Sequence, residues 1–274
     1  MTVRALGKEL RAELSPFESE IILMTVLGFS RTDLIICADE EVEDDALTRI
    51  KDIKERRKTG EPLQYLLREW SFLGRVYEVG EGVLIPRDDT EVVVSEALSL
   101  IPKDQRMNIL DLCSGSGIIA VTLKKERPLC RLTAVEKSEE AYAYLLKNTQ
   151  RNDADIDCIL SDLSDCAEKF SDGSLDLIVS NPPYIKTSDL PTLQREVLFE
   201  PMMALDGGES GYEFYEKIVS LYPKKLRKGG HLAFEIGEGQ SGYISSLLTN
   251  AGFEDIRVSD DIQGIPRAII AKKI

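Results

Sequence analysis

Short apolar runs alternate with segments of helical periodicity from residue 88 to the last residue of the chain. Runs of four to six residues between such segments have the length of buried strands. Strands that alternate with helices form a parallel, doubly wound sheet with helices on both faces. The predicted strands are residues 108–112, 131–135, 156–160, 175–179, 231–236, 253–258 and 268–271. A turn at Gly229 and Gly230 is expected between the helix of about 212–226 and the strand at 231–236. The chain therefore predicts an α/β domain with a seven-stranded sheet.

The first part of the chain has a different, purely helical pattern. Ser15, Pro16 and Glu18 form a capping box with proline at the first helical position, so a helix is expected from here to Leu27. A second helical pattern covers residues 43–58 and stops at a glycine. The stretch WSFLGRVYEV then predicts a β-hairpin around its central glycine. The expected domains are a helical domain (1–68), a hairpin linker (69–86) and a sheet domain (87–274).

The charge balance limits the partners of this chain. It contains 34 Lys and Arg residues against 48 Asp and Glu residues, which gives a formal net charge of −14. Such a field repels phosphate backbones, so non-specific DNA binding is disfavoured. The basic segment RIKDIKERRK (49–58) is the exception. It is interpreted either as a solvated helix face with internal pairs such as Asp52 with Arg56, or as a contact to an acidic partner or RNA.

Cysteine and histidine usage excludes several kinds of chemistry. The five cysteines are odd in number and form no CxxC pair, which argues against a disulfide framework and against a zinc site. His231 is the only histidine and opens an apolar run, so a nucleophile activated by histidine is not expected. The apolar run 21–29 is too short to span a bilayer. We expect a soluble, cytoplasmic, monomeric protein without a metal.

The first predicted strand of the sheet domain leads into a glycine loop, ILDLCSGSGIIA (109–120). Gly115 and Gly117 allow the backbone to approach a ligand closely, and the following helix offers free N–H groups. The dinucleotide fingerprint would need GxGxxG. The spacing here matches instead the DxGxGxG loop of S-adenosylmethionine enzymes, with cysteine at the first glycine. Its residues, expected to bind the cofactor, are Asp111, Cys113, Ser114, Gly115, Ser116 and Gly117.

Acidic residues follow the next two strands. Glu136 lies nineteen residues past Gly117, where a carboxylate accepts hydrogen bonds from both ribose hydroxyls. Asp162 ends the third strand and is placed to accept from an adenine amine, while Leu163 packs on the ring. Each acid alone could be a helix cap or a loop residue. Together with the glycine loop they predict a nucleoside cofactor, S-adenosylmethionine rather than NAD.

The fourth strand ends in NPPYI (181–185). Two prolines stop the strand and hold a stiff turn. An amide or aromatic amine is a poor nucleophile, so a site that methylates one must orient its lone pair. We expect the Asn181 side-chain carbonyl and the Pro182 backbone carbonyl each to accept one N–H, while Tyr184 stacks on the planar group. Direct in-line methyl transfer would follow.

These motifs resemble those of amino-type class I methyltransferases, and further segments resemble the release factor glutamine methyltransferases called PrmC or HemK. The further segments are EPLQYLLREWSFLGRVYEV, LIPRDDTE, FEPMMALDGGESGYEFY, FEIGEGQ and DIQGIPR. The resemblance implies a Rossmann-like domain that uses S-adenosyl-L-methionine to methylate N5 of the glutamine in the Gly-Gly-Gln motif of class 1 peptide-chain release factors. It places Asn181 in the cofactor site as well, and makes Asn181, Pro182, Pro183 and Tyr184 the substrate site. The helical domain is expected to help hold the release factor.

Two other functions share parts of this pattern. A DNA adenine methyltransferase also carries NPPY, but it needs a target-reading region and a basic groove. A non-catalytic cofactor-binding module would not need two prearranged acceptors for one nitrogen. Within LIPRDDTE, Arg87 and Thr90 are interpreted either as pocket residues or as neighbours of Asp88 and Asp89, which would cap the next helix.

Overall fold

The computed structural model describes residues 1–274, which form two compact units. The first unit contains Met1–Glu69 and Gln194–Phe199. The second contains Trp70–Leu193 and Glu200–Ile274. The six residues Gln194–Phe199 lie within the range that the sequence assigned to the sheet domain, yet they pack with the helical unit. None of the helices has the length and continuous apolarity needed to cross a bilayer.

The helical unit is built around one apolar core that includes Leu6, Ile22 and Ile50, each fully or almost fully buried. The expected capping box is present: the Ser15 hydroxyl accepts from the Glu18 amide, and the Glu18 carboxylate accepts from the Ser15 amide. The two helices predicted from sequence are accompanied by three shorter ones. The helices are α1 (Val3–Arg11), α2 (Pro16–Leu27), α3 (Arg31–Ile36), α4 (Asp44–Lys58) and α5 (Leu63–Leu67).

The basic residues of α4 are largely neutralised within the helical unit. Arg57 is only 14% exposed and pairs with both Glu18 and Glu196, at 2.6 and 2.5 Å. Lys54 donates to Glu9 and to Glu13. The expected pair of Asp52 with Arg56 is present at 3.4 Å. This cluster therefore acts mainly as a set of internal ion pairs rather than as a free basic surface.

The predicted hairpin consists of β1 (Glu69–Phe72) and β2 (Arg75–Glu78). Leu73 and Gly74 both have positive φ, 44° and 74°, the backbone that a two-residue hairpin turn requires. The ring of Tyr77 is fully buried, and its hydroxyl lies 2.9 Å from that of Thr122. The hairpin thus closes against the core of the sheet unit.

The sheet unit contains the predicted seven-stranded sheet, with strand order β5-β4-β3-β6-β7-β9-β8. Five neighbouring strands are parallel, from β5 to β7. β9 inserts between β7 and β8 and runs antiparallel to both. The expected class I architecture is confirmed. The strands are β3 (Asn108–Leu112), β4 (Arg131–Glu136), β5 (Asp157–Leu160), β6 (Leu175–Ser180), β7 (Leu226–Glu235), β8 (Phe253–Asp260) and β9 (Pro266–Lys273).

One predicted turn was wrong. Gly229 and Gly230 were expected to separate a helix from a strand, but both lie inside β7. The pairing of β6 with β7 shifts between Leu175 and Leu177, so the glycines belong to an irregular strand start. A Cβ on Gly230 would lie 3.0 Å from the Arg227 and Asp176 carbonyl oxygens, which explains a glycine inside a strand.

Helices cover both faces of the sheet. Neighbouring residues of β3 point to opposite sides, so Ile109 joins one core cluster and Leu110 the other. The first cluster includes Val93 and Ile119, and the second includes Tyr215. The helices are α6 (Thr90–Ser99), α7 (Ile118–Glu126), α8 (Glu139–Arg151), α9 (Leu163–Cys166), α10 (Met202–Leu205), α11 (Glu213–Leu221) and α12 (Ser241–Asn250).

Candidate active site

The carboxyl ends of the parallel strands meet at one edge of the sheet, where open α/β sheets bind ligands. Cys113 follows β3, Glu136 ends β4, Asp162 comes shortly after β5 and Asn181 follows β6. Two adjoining clefts open at this edge. Their empty volumes, including the solvent space at their open mouths, are about 790 and 360 Å³. They share Leu84, Cys113, Gly115 and Asn181 as walls.

The larger cleft collects most of the residues that the sequence proposed for a nucleoside. These residues are Cys113, Gly115, Glu136, Asp162, Leu163 and Asn181. Pro183, which was proposed for the substrate, also lines this cleft. The smaller cleft adds Ser114 and Ser116. Four of the proposed residues line neither cleft: Asp111, Gly117, Pro182 and Tyr184.

The glycine loop turns sharply between β3 and α7. Cys113, Gly115 and Gly117 all have positive φ, at 59°, 54° and 85°. A Cβ on Gly117 would lie 2.6 Å from Leu145 Cδ1, so this glycine allows the loop to pack on α8. A Cβ on Gly115 would meet no protein atom within 4 Å, and therefore the space above Gly115 is open to a ligand. Burial raises the pKa of the Cys113 thiol, which stays neutral.

Asp111 lies beneath this loop rather than on the cleft wall. It is fully buried, and its Oδ2 accepts from the Ala120 amide at 3.2 Å. Burial raises the pKa of its carboxyl group to about 8. Oδ1 is buried without a hydrogen-bond partner. Asp111 therefore holds the start of α7 in place beneath the loop.

Glu136 joins the glycine loop to the end of β4. Its carboxylate accepts from the backbone amides of Gly115, Lys137 and Ser138 at 2.8, 2.7 and 2.8 Å. A carboxylate has about four acceptor positions. Three are occupied by the protein, so about one remains for a ribose hydroxyl, whereas the sequence predicted hydrogen bonds to two.

Asp162 and Leu163 also line the larger cleft. Asp162 Oδ1 accepts from the Ser164 amide at 2.8 Å, and Oδ2 lies 3.0 Å from Lys137 Nζ. Partial burial would raise the pKa of Asp162, but the Ser164 amide and Lys137 outweigh it and the pKa is lowered. The group is thus an anionic acceptor. Leu163 is buried and gives this cleft an apolar surface.

Arg87 and Thr90 line the smaller cleft, which favours the pocket interpretation of LIPRDDTE. Glu200, 1% exposed at its side chain, pairs with the Arg87 guanidinium and also accepts from the Ile85 amide at 2.9 Å. The Arg87 side chain is 37% exposed, so part of its fork faces the cleft. Asp89 precedes α6 without making a side-chain cap bond.

The NPPY turn is held by hydrogen bonds from the Gln240 side chain and from a neighbouring segment. Gln240 Nε2 donates to the Tyr184 carbonyl at 3.0 Å and to the Gly211 carbonyl at 3.2 Å, while its Oε1 accepts from the Gly237 amide. Ile185 pairs with the segment around Asp206 as an isolated parallel bridge. These hydrogen bonds do not use Asn181 Oδ1 or the Pro182 carbonyl, which remain available as acceptors.

The Tyr184 ring is not brought to either cleft. It packs against the core cluster that contains Tyr215, and burial raises the pKa of its hydroxyl. The carboxyl group of Glu235 lies near this hydroxyl. Stacking of Tyr184 on a substrate amide therefore stays a prediction.

Several cleft residues were not singled out from the sequence. Lys137 and Ser138 follow Glu136, and Met203 and Phe214 give the larger cleft an apolar wall. Met203 and Phe214 belong to the segment FEPMMALDGGESGYEFY, which resembles one family, so part of their signal is present in the sequence. Which of its side chains would face the cleft depends on the chain path between β6 and β7.

Comparisons with known proteins show the family of this chain. The family described as "Methyltransferase small domain" matches residues 95–209, and "PrmC N-terminal domain" matches residues 5–67. A release factor glutamine methyltransferase of Geobacter sulfurreducens is 40% identical over 258 residues, covering 94% of this chain and 89% of the relative. The protein of the same name from Thermodesulfovibrio yellowstonii is 37% identical, covering 93% and 92%. The chain belongs to the release factor glutamine methyltransferase family.

A solved structure shares the fold of this chain. The crystal structure of a methyltransferase from Pyrococcus furiosus superposes with a TM-score of 0.53 at 18% identity, covering 84% of this chain and 99% of that one. The family resemblance inferred from the motifs is confirmed, and S-adenosyl-L-methionine is the cofactor of this methyltransferase. The open space over Gly115 and the remaining acceptor position of Glu136 fit its nucleoside.

Proposed function

We propose that this protein methylates N5 of the glutamine in the Gly-Gly-Gln motif of class 1 peptide-chain release factors. The observation that carries the proposal is the position of Asn181, a shared wall residue of the two clefts with a free carbonyl acceptor. Relatives at 40% and 37% identity bear the name of this activity.

The two clefts suit the two halves of the cofactor. The larger cleft, with Glu136, Asp162 and Leu163, suits the nucleoside. The smaller cleft suits the amino-acid tail, because the Arg87 guanidinium can pair with a carboxylate at the glycine loop. The bound cofactor supplies an electrophilic methyl group on a sulfonium. Asn181 lies at the junction of the clefts, next to where that group would be held.

The residues of the NPPY turn orient the amide nitrogen of the substrate glutamine. Asn181 Oδ1 and the Pro182 carbonyl oxygen each accept one of its two N–H bonds, which leaves the nitrogen lone pair directed toward the cofactor. Pro182 and Pro183 hold these acceptors before the substrate arrives, so no reorganisation is needed during the reaction. The nitrogen loses one proton to water after the methyl group is transferred.

The remaining predictions about partners rest on charge and fold. We infer a monomeric, cytoplasmic protein without DNA or membrane binding, whose helical unit contacts the release factor. The net charge of −14 and the internal pairing of the basic residues of α4 disfavour a DNA substrate.

The test uses radiolabelled S-adenosyl-L-methionine with three separate substrates: a class 1 release factor, the same factor with the motif glutamine changed to alanine, and duplex DNA. Label is expected on the first substrate alone, with N5-methylglutamine identified by mass spectrometry. Transfer to the alanine variant or to DNA would refute the assignment. Binding to random duplex DNA, measured by mobility shift at physiological salt, should be absent.

A further inference from the structure

Glu235 is a buried carboxyl group at the active-site edge of the sheet, and the methyl-transfer site described above does not use it. It ends β7, is 1% exposed, and its Oε2 has no hydrogen-bond partner. The hydroxyl groups of Thr90 and Tyr184 lie near enough to favour its anion. A buried carboxyl oxygen without a partner costs free energy, which suggests that this group serves a function.

Thr90 lies near Glu235 and also forms a hydrogen bond with the NPPY turn. It is 1% exposed, and its Oγ1 accepts from Asn181 Nδ2 at 3.4 Å. A threonine hydroxyl has one proton to donate. If that proton goes to the Glu235 carboxylate, Oγ1 can only accept from Asn181. The Asn181 amide must then turn Nδ2 toward Thr90 and Oδ1 toward the cleft.

We propose that Glu235 is a positioning residue, which acts through Thr90 to keep the Asn181 carbonyl oxygen facing the substrate nitrogen. The inference rests on the proposed function, because the orientation matters only where Asn181 accepts an N–H from an amide. The opposite orientation would place the Asn181 NH₂ group against the substrate NH₂ group, so that two donors face each other.

The proposed relay from Glu235 through Thr90 to Asn181 depends on pH. Burial raises the pKa of Glu235 to about 7, the Thr90 hydroxyl and Arg267 lower it, and Asp89 raises it. The two tyrosine hydroxyls that face Glu235, of Tyr184 and Tyr215, stay neutral because burial raises the pKa of each.

Protonated Glu235 would donate to Thr90, whose own proton would then go to Asn181 Oδ1 and reverse the amide. The active form is the carboxylate. Methyl transfer should therefore decline as the pH falls through the pKa of Glu235.

The kinetic test measures single-turnover methyl transfer to the release factor from about pH 5.5 to 8.5. For a single ionisation near pH 7, the wild-type rate constant at pH 6 should be about tenfold below its plateau. Glu235→Gln removes the titrating group, so its rate constant should be lower but constant over this range. Valine matches threonine in shape but has no hydroxyl group, so the rate constant of Thr90→Val should be about 10- to 100-fold below that of wild type. Thr90→Ser keeps the hydroxyl group and should retain the pH-dependent rate.

A second readout needs neither cofactor nor substrate. Infrared difference spectra of the free protein should contain a protonated carboxyl band that titrates with a midpoint near pH 7 and is missing in Glu235→Gln. Subtracting the Glu235→Gln spectrum from the wild-type spectrum separates the Glu235 band from that of Asp111, another buried acid with a raised pKa.

Two results would overturn the inference alone, provided that wild type methylates glutamine. One is an acid decline that Glu235→Gln shares with wild type. The other is a wild-type rate constant in Thr90→Val. If wild type forms no N5-methylglutamine at any pH, the proposed function fails and this inference fails with it.

Discussion

Gln240 Nε2 donates a hydrogen bond to the backbone carbonyl of Tyr184 at 3.0 Å and so ties the start of α12 to the NPPY turn. The same side chain bonds the Gly211 carbonyl and the Gly237 amide. Three backbone groups from three loops thus converge on one buried amide. The acceptors of the turn are positioned by residues distant in sequence.

Replacing this amide by an apolar side chain should affect both stability and rate. Gln240→Leu leaves buried backbone groups unpaired, at about 1–3 kcal/mol for each. It should also slow methyl transfer by about tenfold or more, because the turn is less well positioned. Urea unfolding and single-turnover kinetics measure the two effects. Glu238→Gln, on the exposed neighbouring residue, is the control and should change neither.

Asn181→Ala removes one of the two proposed acceptors for the substrate nitrogen. We expect methyl transfer to fall by about 100-fold or more, as for other lost transition-state hydrogen bonds. Cofactor affinity, measured by calorimetry, should change much less. Ser188→Ala, in the exposed part of the same loop, should behave like wild type. Retention of the full single-turnover rate in Asn181→Ala would remove this residue from the mechanism.

The two glycines of the cofactor loop should respond differently to alanine. Both have positive φ, so each substitution costs roughly 1–2 kcal/mol in backbone strain. Gly117→Ala also drives a methyl group into Leu145, which adds about 1–3 kcal/mol of overpacking. Gly115→Ala meets only open space and should mainly weaken cofactor binding. Equal loss of unfolding free energy in the two variants would contradict this assignment.

The ion pairs of Arg57 should stabilise the helical unit. Its side chain is largely buried between Glu18 and Glu196, so Arg57→Ala leaves two carboxylates without their partner. We expect a loss of about 1–3 kcal/mol in unfolding free energy, seen as earlier urea unfolding. Lys51→Ala, at an exposed position of the same helix, should be neutral. An equal effect of both changes would mean that burial of the pair is unimportant.

Most of the fold could be predicted because its signals are local. The strands and the capping box at Ser15 follow from periodicity and from the preferences of residues within a few positions. Contacts between distant segments decide the rest. Gly229 and Gly230 have the composition of a turn, yet pairing with β6 draws them into β7. Gln194–Phe199 carries no local sign that it packs with the helical unit.

Some residues of the candidate site could likewise be predicted from the sequence, whereas the position of others depends on packing. Cys113, Glu136, Asp162 and Asn181 were predicted together because they follow strands whose carboxyl ends must share an edge. Asp111 and Tyr184 belong to the same motifs but lie beneath the clefts, since strand alternation and loop packing decide which neighbour faces the ligand.

The order of residue types along this chain was enough to determine the seven strands, the family and the chemical groups offered to a cofactor and an amide, because these depend on local spacing. The tertiary structure alone decided that β9 inserts beside β7, that three amides occupy the Glu136 carboxylate, and that Thr90 bonds Asn181. The bond between Thr90 and Asn181 spans 91 positions and leaves no periodic trace in a sequence. Which backbone amides turn toward Glu136 depends on the path of the packed loops.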